Sequence, residues 1–420
     1  MELQKSIKNL NDVSLTLTEH ILQNDGKDSN VVCSPLSMQV LLNLVAAAAT
    51  GKTLDKLLTF LKAKSSEELN SRSSYLIDVV FADGSSSGGP TLSLANGVWI
   101  DQSLSFKSSY KLVVDNVYKA ASDAVDFMNK VRHYLWFNLC FLIIILLISN
   151  IGDDVSGVNF CKLMQPNESA DLLNSWVEKE THGLIKEMFP HISFDIFTWL
   201  VYANAIYFKG EWLNPFKVLN TMDYDFYLLD GSYIQVPFMT NFSCDYQYIS
   251  AFDTFKVLKL HYKQGNDKQR KFSMNIFLPN AKDGLQTLVE KLGTEYGFLD
   301  KYLTSHMERV GKVRIPKFKI SFGLDASKAL QGLGLFSSFS PGDFAEMVNE
   351  SPAGEMLFVR NAFHKSFIEV NEGTEAAMYG GGSAGLLINF VADHPFLFLV
   401  REEVTGVVLF TGQVLNPSAT

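Results

Sequence analysis

The chain of 420 residues is poor in the residue patterns that carry most catalysis and metal chemistry. It has four cysteines, Cys33, Cys140, Cys161 and Cys244, scattered without metal-ligand spacing. They form no evident disulfide framework and read as free thiols of a reducing compartment. The eight histidines include no H-E-x-x-H pair, and no cofactor is implied. There is no basic block, and the net charge is −9, so nucleic acid is not an expected partner. The first helix-like stretch, MELQKSIKNLNDVSLTLTEHIL, is amphipathic and lacks the apolar core of a secretory leader, so a cytoplasmic location is expected. Three Asn-x-Ser sequons, at Asn167, Asn241 and Asn349, therefore read as chance. Between Lys365 and Arg401 there is no lysine or arginine at all.

What is present is apolar material for a large core: 47% hydrophobic residues against 19% charged. Ser34 followed by Pro35 starts an apolar helix to Ala49, with Ser34 as cap and Pro35 in the first turn, where its missing N–H does no harm. Residues 65–81 read as a further helix and Asp83–Pro90 as a loop. Leu92–Ile100 is expected as a strand, Tyr110–Ala120 as a helix and Ala124–Phe127 as a short edge strand. Asn167 caps a helix that ends at Gly183. Trp199–Lys209 is apolar on both faces, which places it in the middle of a sheet. Asn204 inside it is polar and needs a buried partner. Further strands are expected at Tyr233–Met239, Phe255–Tyr262, Phe272–Leu278 and Val313–Ser321, the last at an edge or bulge because of Pro316. Helices are expected at Asp283–Leu292 and Leu324–Leu330.

The stretch from His364 to Gly412 organises the rest. An alternating strand leads into the small-residue run Glu372-Gly373-Thr374-Glu375-Ala376-Ala377, then a Gly/Ser segment. Two β-prone runs follow, Phe396–Val400 and Val407–Thr411.

Residues 131–165 break the pattern. Tyr134–Ile148 is a 15-residue apolar run, short of the roughly 20 that span a bilayer. Three readings are open: a membrane anchor, a buried helix, or translated intron. The third is preferred. Lys130-Val131-Arg132 can be encoded AAG-GTA-AGA, which contains a splice donor, and Gln165 can be CAG, an acceptor end.

Strand, hinge, loop and return, together with NGVW at Asn96, NSWVEKETHGLIKE at Asn174, LVYANAIYFKGEW at Leu200 and the Ser34-Pro35-x-Ser37 start, resemble the serpins, and in particular the plant cytosolic type. The resemblance implies a mixed α/β fold of three β-sheets and eight or nine helices, with an exposed reactive-centre loop. It implies a monomer that is not an enzyme, whose partner is a serine- or cysteine-type protease. The loop is bait: the protease cuts it, and the hinge residues 372–377 lead it into a central sheet as a new strand. Small side chains enter a preformed sheet without clash. The resemblance also makes Ser34, Ser37, Asn204 and His364 a latch beneath that sheet, with Trp212 where the hinge enters.

Counting forward from Thr374 by the family's loop length puts the cut bond at Leu387-Ile388, while counting back from Phe390 puts it at Gly380-Gly381. The difference, 387 − 380 = 7, makes the loop about seven residues short. Met378 and Tyr379 stand where alanines are expected. A non-inhibitory serpin, for binding, storage or simple cleavage, is therefore the alternative. A hydrolase is disfavoured. Gly381–Gly385 fits G-x-S-x-G, but no helix follows, and adjacent Asp393 and His394 are not expected to line up as a relay.

The intron reading has a direct consequence: cDNA from mature transcripts should lack the codons for 131–165 and encode 420 − 35 = 385 residues. A transcript population that carries them throughout would overturn it.

Overall fold

The computed structural model describes residues 2–127, 168–190, 193–194, 198–241, 246–303, 305–335, 342–349, 357, 359, 361–373 and 387–419. Residues 131–165 and Thr374–Leu386 lie outside this set, and so do Asn167 and the G-x-S-x-G stretch.

Nine α-helices occur among the described residues. The first two are α1 (Glu2–Gln23) and α2 (Pro35–Ala48). The others span Gly51–Phe60, Ser66–Tyr75, Ser108–Asn116, Glu168–Glu180, Leu285–Thr294, Phe298–Tyr302 and Ala326–Gly332. The strands in the first half are β1 (Val31–Cys33), β2 (Thr91–Asp101), β3 (Ala121–Val125), β4 (Leu200–Lys209), β5 (Met222–Tyr227), β6 (Tyr233–Asn241) and β7 (Tyr246–Ala251). Those in the second half are β8 (Phe255–His261), β9 (Phe272–Pro279), β10 (Met307–Pro316), β11 (Phe318–Asp325), β12 (Asn361–Val370), β13 (Ile388–Val391), β14 (Phe396–Glu402) and β15 (Val408–Val414).

Five strands form one sheet in the order β11-β12-β4-β2-β3. Its middle strand, β4, is buried at every position except Lys209. Leu200, Tyr202, Ile206 and Phe208 face the main core, while Val201, Ala203, Ala205 and Tyr207 face a second, smaller one. Two apolar faces explain why this strand shows no polar alternation in sequence. The second core is closed by the Glu168–Glu180 helix, whose Ala170, Leu173 and Val177 lie across the sheet.

The remaining strands join as β1-β15-β14-β9-β8-β7-β10-β6-β5, with β13 paired to β10. Two hydrogen-bonded sheets, not three, are thus present among the described residues. The reason is β10, which is long enough to belong to two layers. Met307–Arg309 pairs with β7, and Val313–Pro316 pairs with β6.

The expected strand Val313–Ser321 is also corrected. It is two strands in two different sheets, divided after Pro316. Pro316 closes β10, and Lys317 N–H donates to the Pro237 carbonyl before the chain crosses to β11. A residue without N–H fits the end of a ladder. The helix expected over Tyr110–Ala120 stops at Asn116, and Lys119 takes a left-handed φ of 45°. The edge strand lies at Ala121–Val125, slightly before the expected Ala124–Phe127.

Candidate functional site: the sheet latch and the two stems of the loop

Three strands bring polar residues into one row. In the ladders, His364 of β12 is opposite Asn204 of β4, and Asn204 is opposite Asn96 of β2. Beneath the row sits the start of α2. Its cap Ser34 accepts from Ser37 N–H at 3.2 Å and donates its hydroxyl to the Leu409 carbonyl at 2.6 Å. All five residues are buried, Asn204 completely.

The hydrogen bonds assign the protons of the amide and of the ring. Asn204 Nδ2 donates to Asn96 Oδ1 at 2.7 Å, so its Oδ1 must accept. Ser37 Oγ–H reaches that oxygen at 2.7 Å, and His364 Nδ1–H reaches it at 2.7 Å. His364 Nε2 is then the unprotonated nitrogen. It accepts from Ser34 N–H at 3.2 Å and from Ser366 Oγ–H at 2.6 Å. A neutral ring satisfies this pattern and an imidazolium does not. Burial pushes the His364 pKa down from 6.5 to about 3, in the same direction.

The predicted Ser34, Ser37, Asn204 and His364 therefore come together, with Asn96 and Ser366 added. Asn96 is a lone amide in a β-prone run, the same signal that marked Asn204. Ser366 lies two residues from His364, hence on the same face of β12. Each satisfied bond contributes about 1 kcal/mol net, but leaving one of these buried groups unpaired costs more.

Trp212 lies at the upper end of β12. It stacks on Tyr262, with ring centroids 4.5 Å apart, and its indole N–H donates to the Asn371 carbonyl at 2.7 Å. Glu372 follows, almost buried, with its carboxylate 2.9 Å from Lys317 Nζ and its carbonyl accepting from Phe216 N–H at 3.0 Å. Burial opposes ionisation of Glu372, but the hydrogen bonds it accepts, that of Lys317 foremost, and the Lys317 charge together outweigh it and hold the pKa below the ordinary value. Gly373 then turns the chain at φ 79°, a left-handed conformation that disfavours any side chain. The hinge residues Glu372 and Gly373 are thus anchored, while Thr374, Glu375, Ala376 and Ala377 lie outside the described residues.

Leu387, half-buried, begins the other stem. Ile388 is the first residue of β13 and pairs in parallel with Val310. The ladder continues to Val391↔Arg314 across a bulge between Val310 and Lys312. Phe390 is fully buried, and Lys256 Nζ donates to the Asn389 carbonyl at 3.1 Å. Gly380 and Gly381 lie outside the described residues.

Asp393 and His394 do meet, with Asp393 Oδ1 2.7 Å from His394 Nδ1, but not as a relay. The far nitrogen, Nε2, lies 2.8 Å from the Pro279 carbonyl, so this pair closes the turn after β13 and faces a backbone carbonyl where a relay would need a hydroxyl. Among the described residues no cluster of His, Cys, Asp or Glu could hold a metal, and no helix is long and apolar enough to cross a membrane.

Comparison with known proteins agrees with this layout. The family model described as serpin (serine protease inhibitor) matches residues 8–134 and 151–417. It leaves out 135–150, most of the apolar run. Serpin-ZX of Arabidopsis thaliana is 45% identical over 427 residues, covering 99% of this chain and all of that one. Serpin-ZXA of Oryza sativa is 46% identical over 400 residues, covering 93% of this chain and 91% of its own. The solved structure of Arabidopsis AtSerpin1, in a native stressed conformation, is 44% identical with a TM-score of 0.86, and each chain is covered completely. Uncleaved ovalbumin, at 20% identity and TM-score 0.75, shares the fold.

The neutral state of His364 sets a pH dependence. The folded chain resists protonation down to about pH 3, whereas the unfolded chain takes up the proton near 6.5. Between these values the unfolded state binds more protons, so stability falls as pH falls, by a few kcal/mol on the order-of-magnitude scale. Thermal midpoints measured from pH 7 to pH 4 should decline, and His364→Gln should flatten that decline. Equal slopes in the two proteins would refute the assignment.

Proposed function

Since the chain belongs to the serpin family, we propose that it inhibits an endopeptidase by offering a loop for cleavage and taking the cut loop into its five-stranded sheet. The observation that carries this reading is the pairing of β12 with β4. They are parallel neighbours, in register from Asn361↔Val201 to Ile368↔Phe208. A strand placed between them and antiparallel to both would replace one parallel ladder by two antiparallel ones, a gain in pairing. A chain turning back after Gly373 would arrive in that direction. The native fold then holds free energy that only cutting releases, which makes it kinetically trapped.

The latch sits on the same seam. His364 and Asn204 are hydrogen-bonded from β12 to β4, so an entering strand must break that bond. Ser34 and Ser37 on α2 tie both residues to the core beneath, which keeps the seam shut until the gain of a new strand exceeds the cost of opening. Glu372, Gly373 and Trp212 hold the point of entry.

Reach and access favour different bonds. Thr374 to Leu387 is 13 steps, about 43 Å of strand, against about 30 Å for the nine steps of β4. A cut at Leu387-Ile388 therefore supplies enough chain. Yet Ile388 and the residues after it are paired in β13, with Phe390 buried, where a protease cleft cannot take them. Gly380-Gly381 precedes β13 in the sequence, but from Thr374 it supplies only six steps, about 20 Å. This conflict favours a second reading, a serpin that is cut without trapping. The absence of lysine and arginine from the bait excludes enzymes that demand a basic residue and leaves those with apolar pockets.

Incubation with chymotrypsin-like and papain-like proteases separates the two. Trapping predicts a covalent band stable in detergent, and a thermal midpoint of the cleaved protein raised by about 10 °C or more, several kcal/mol. Cleavage with no such band and an unchanged midpoint would support the second reading and refute the first.

A further inference from the structure

Among the described residues fourteen large apolar side chains are exposed, and six of them fall in one short stretch: Leu213, Val218, Leu219, Met222, Leu229 and Tyr233. Leu219 is 86% exposed and Tyr233 61%. The same stretch carries one lysine, Lys217, against three aspartates, Asp223, Asp225 and Asp230. It folds as a 3-10 turn at Val218–Asn220 followed by the β5–β6 hairpin. β5 is the last strand of the large sheet, so one of its edges has no neighbouring strand among the described residues. The six run along a strip beside β5, Leu219 and Met222 at its start and Leu229 and Tyr233 at the hairpin turn, and exposed apolar side chains on an acidic strip are suited to receiving a partner.

Its position says which partner. The stretch touches both stems of the bait. Phe216 N–H donates to the Glu372 carbonyl at 3.0 Å on the hinge side, and Tyr227 N–H donates to the Asp393 carbonyl at 2.8 Å just past β13. Between Gly373 and Leu387 the bait has 13 residues, 374 to 386. A protease–inhibitor contact takes roughly 20–30 residues on each side. A protease seated on the bait must therefore also rest on the surface around the stems.

We propose that the 213–233 stretch is a docking surface for the body of the target protease, fitting one whose rim around the cleft is apolar and positively charged. The aspartates steer the approach, and Leu219 and Tyr233 make the apolar contact. This rests on the reading above only in that the bait is cut by a protease, and does not require trapping.

The test is the second-order rate constant for bait cleavage, measured with chymotrypsin and with papain. Leu219→Ser combined with Tyr233→Ser should lower it at least tenfold at every salt concentration. Asp223→Lys combined with Asp225→Lys should lower it as much at low salt, and the loss should vanish at high salt, as screening requires. Leu112→Ser, an exposed site on the Ser108–Asn116 helix, should stay within twofold of the parent. Thermal midpoints near that of the parent establish that the variants fold. Rates within twofold of the parent for both double variants would overturn the proposal. The detergent-stable band is read in the same reactions, and its absence bears on trapping and leaves the rate comparison intact.

Discussion

The structure depends on one hydrogen bond, from His364 Nδ1 to Asn204 Oδ1, across the seam between two parallel strands. On either side of it β12 and β4 pair through ordinary backbone ladders. At this row the pairing also recruits Asn96 from the next strand and the serines at the start of α2, so the sheet is tied to the helix below it. The bond is directional and dry. The ring must stay neutral for its other nitrogen to go on accepting from Ser34 and Ser366, and burial keeps it so.

The seam and the two stems form one mechanical unit. Glu372 and Lys317, with Trp212 against Tyr262, fix the end of β12 where the chain leaves the sheet. At the other end Phe390 is buried and β13 is pinned to β10. The 13 residues from 374 to 386 thus connect two firm points of the fold.

Much of this was legible in the sequence. Asn204 announced itself as a polar residue in a run with no other, and Ser34-Pro35 announced a capped helix. Central placement of β4 followed from apolar residues on both faces. Other features left no local trace. Pro316 marked an interruption but not that the strands on either side enter different sheets. Lys119 gave no sign of the left-handed turn that ends its helix early. Asp393 and His394 form no relay, but that the turn after β13 brings their side chains together left no local trace.

By itself the sequence determined which residues must be buried, which must turn and which cannot be bait for a protease that requires lysine or arginine. These follow from the chemistry of each residue and its near neighbours. Only the tertiary structure decided that Asn96 and Ser366 complete the latch, that β10 welds two expected sheets into one, and that Ile388 is already a strand residue. Each of these is a matter of register between segments far apart in the chain. Register is set by how whole faces pack, which no local pattern encodes.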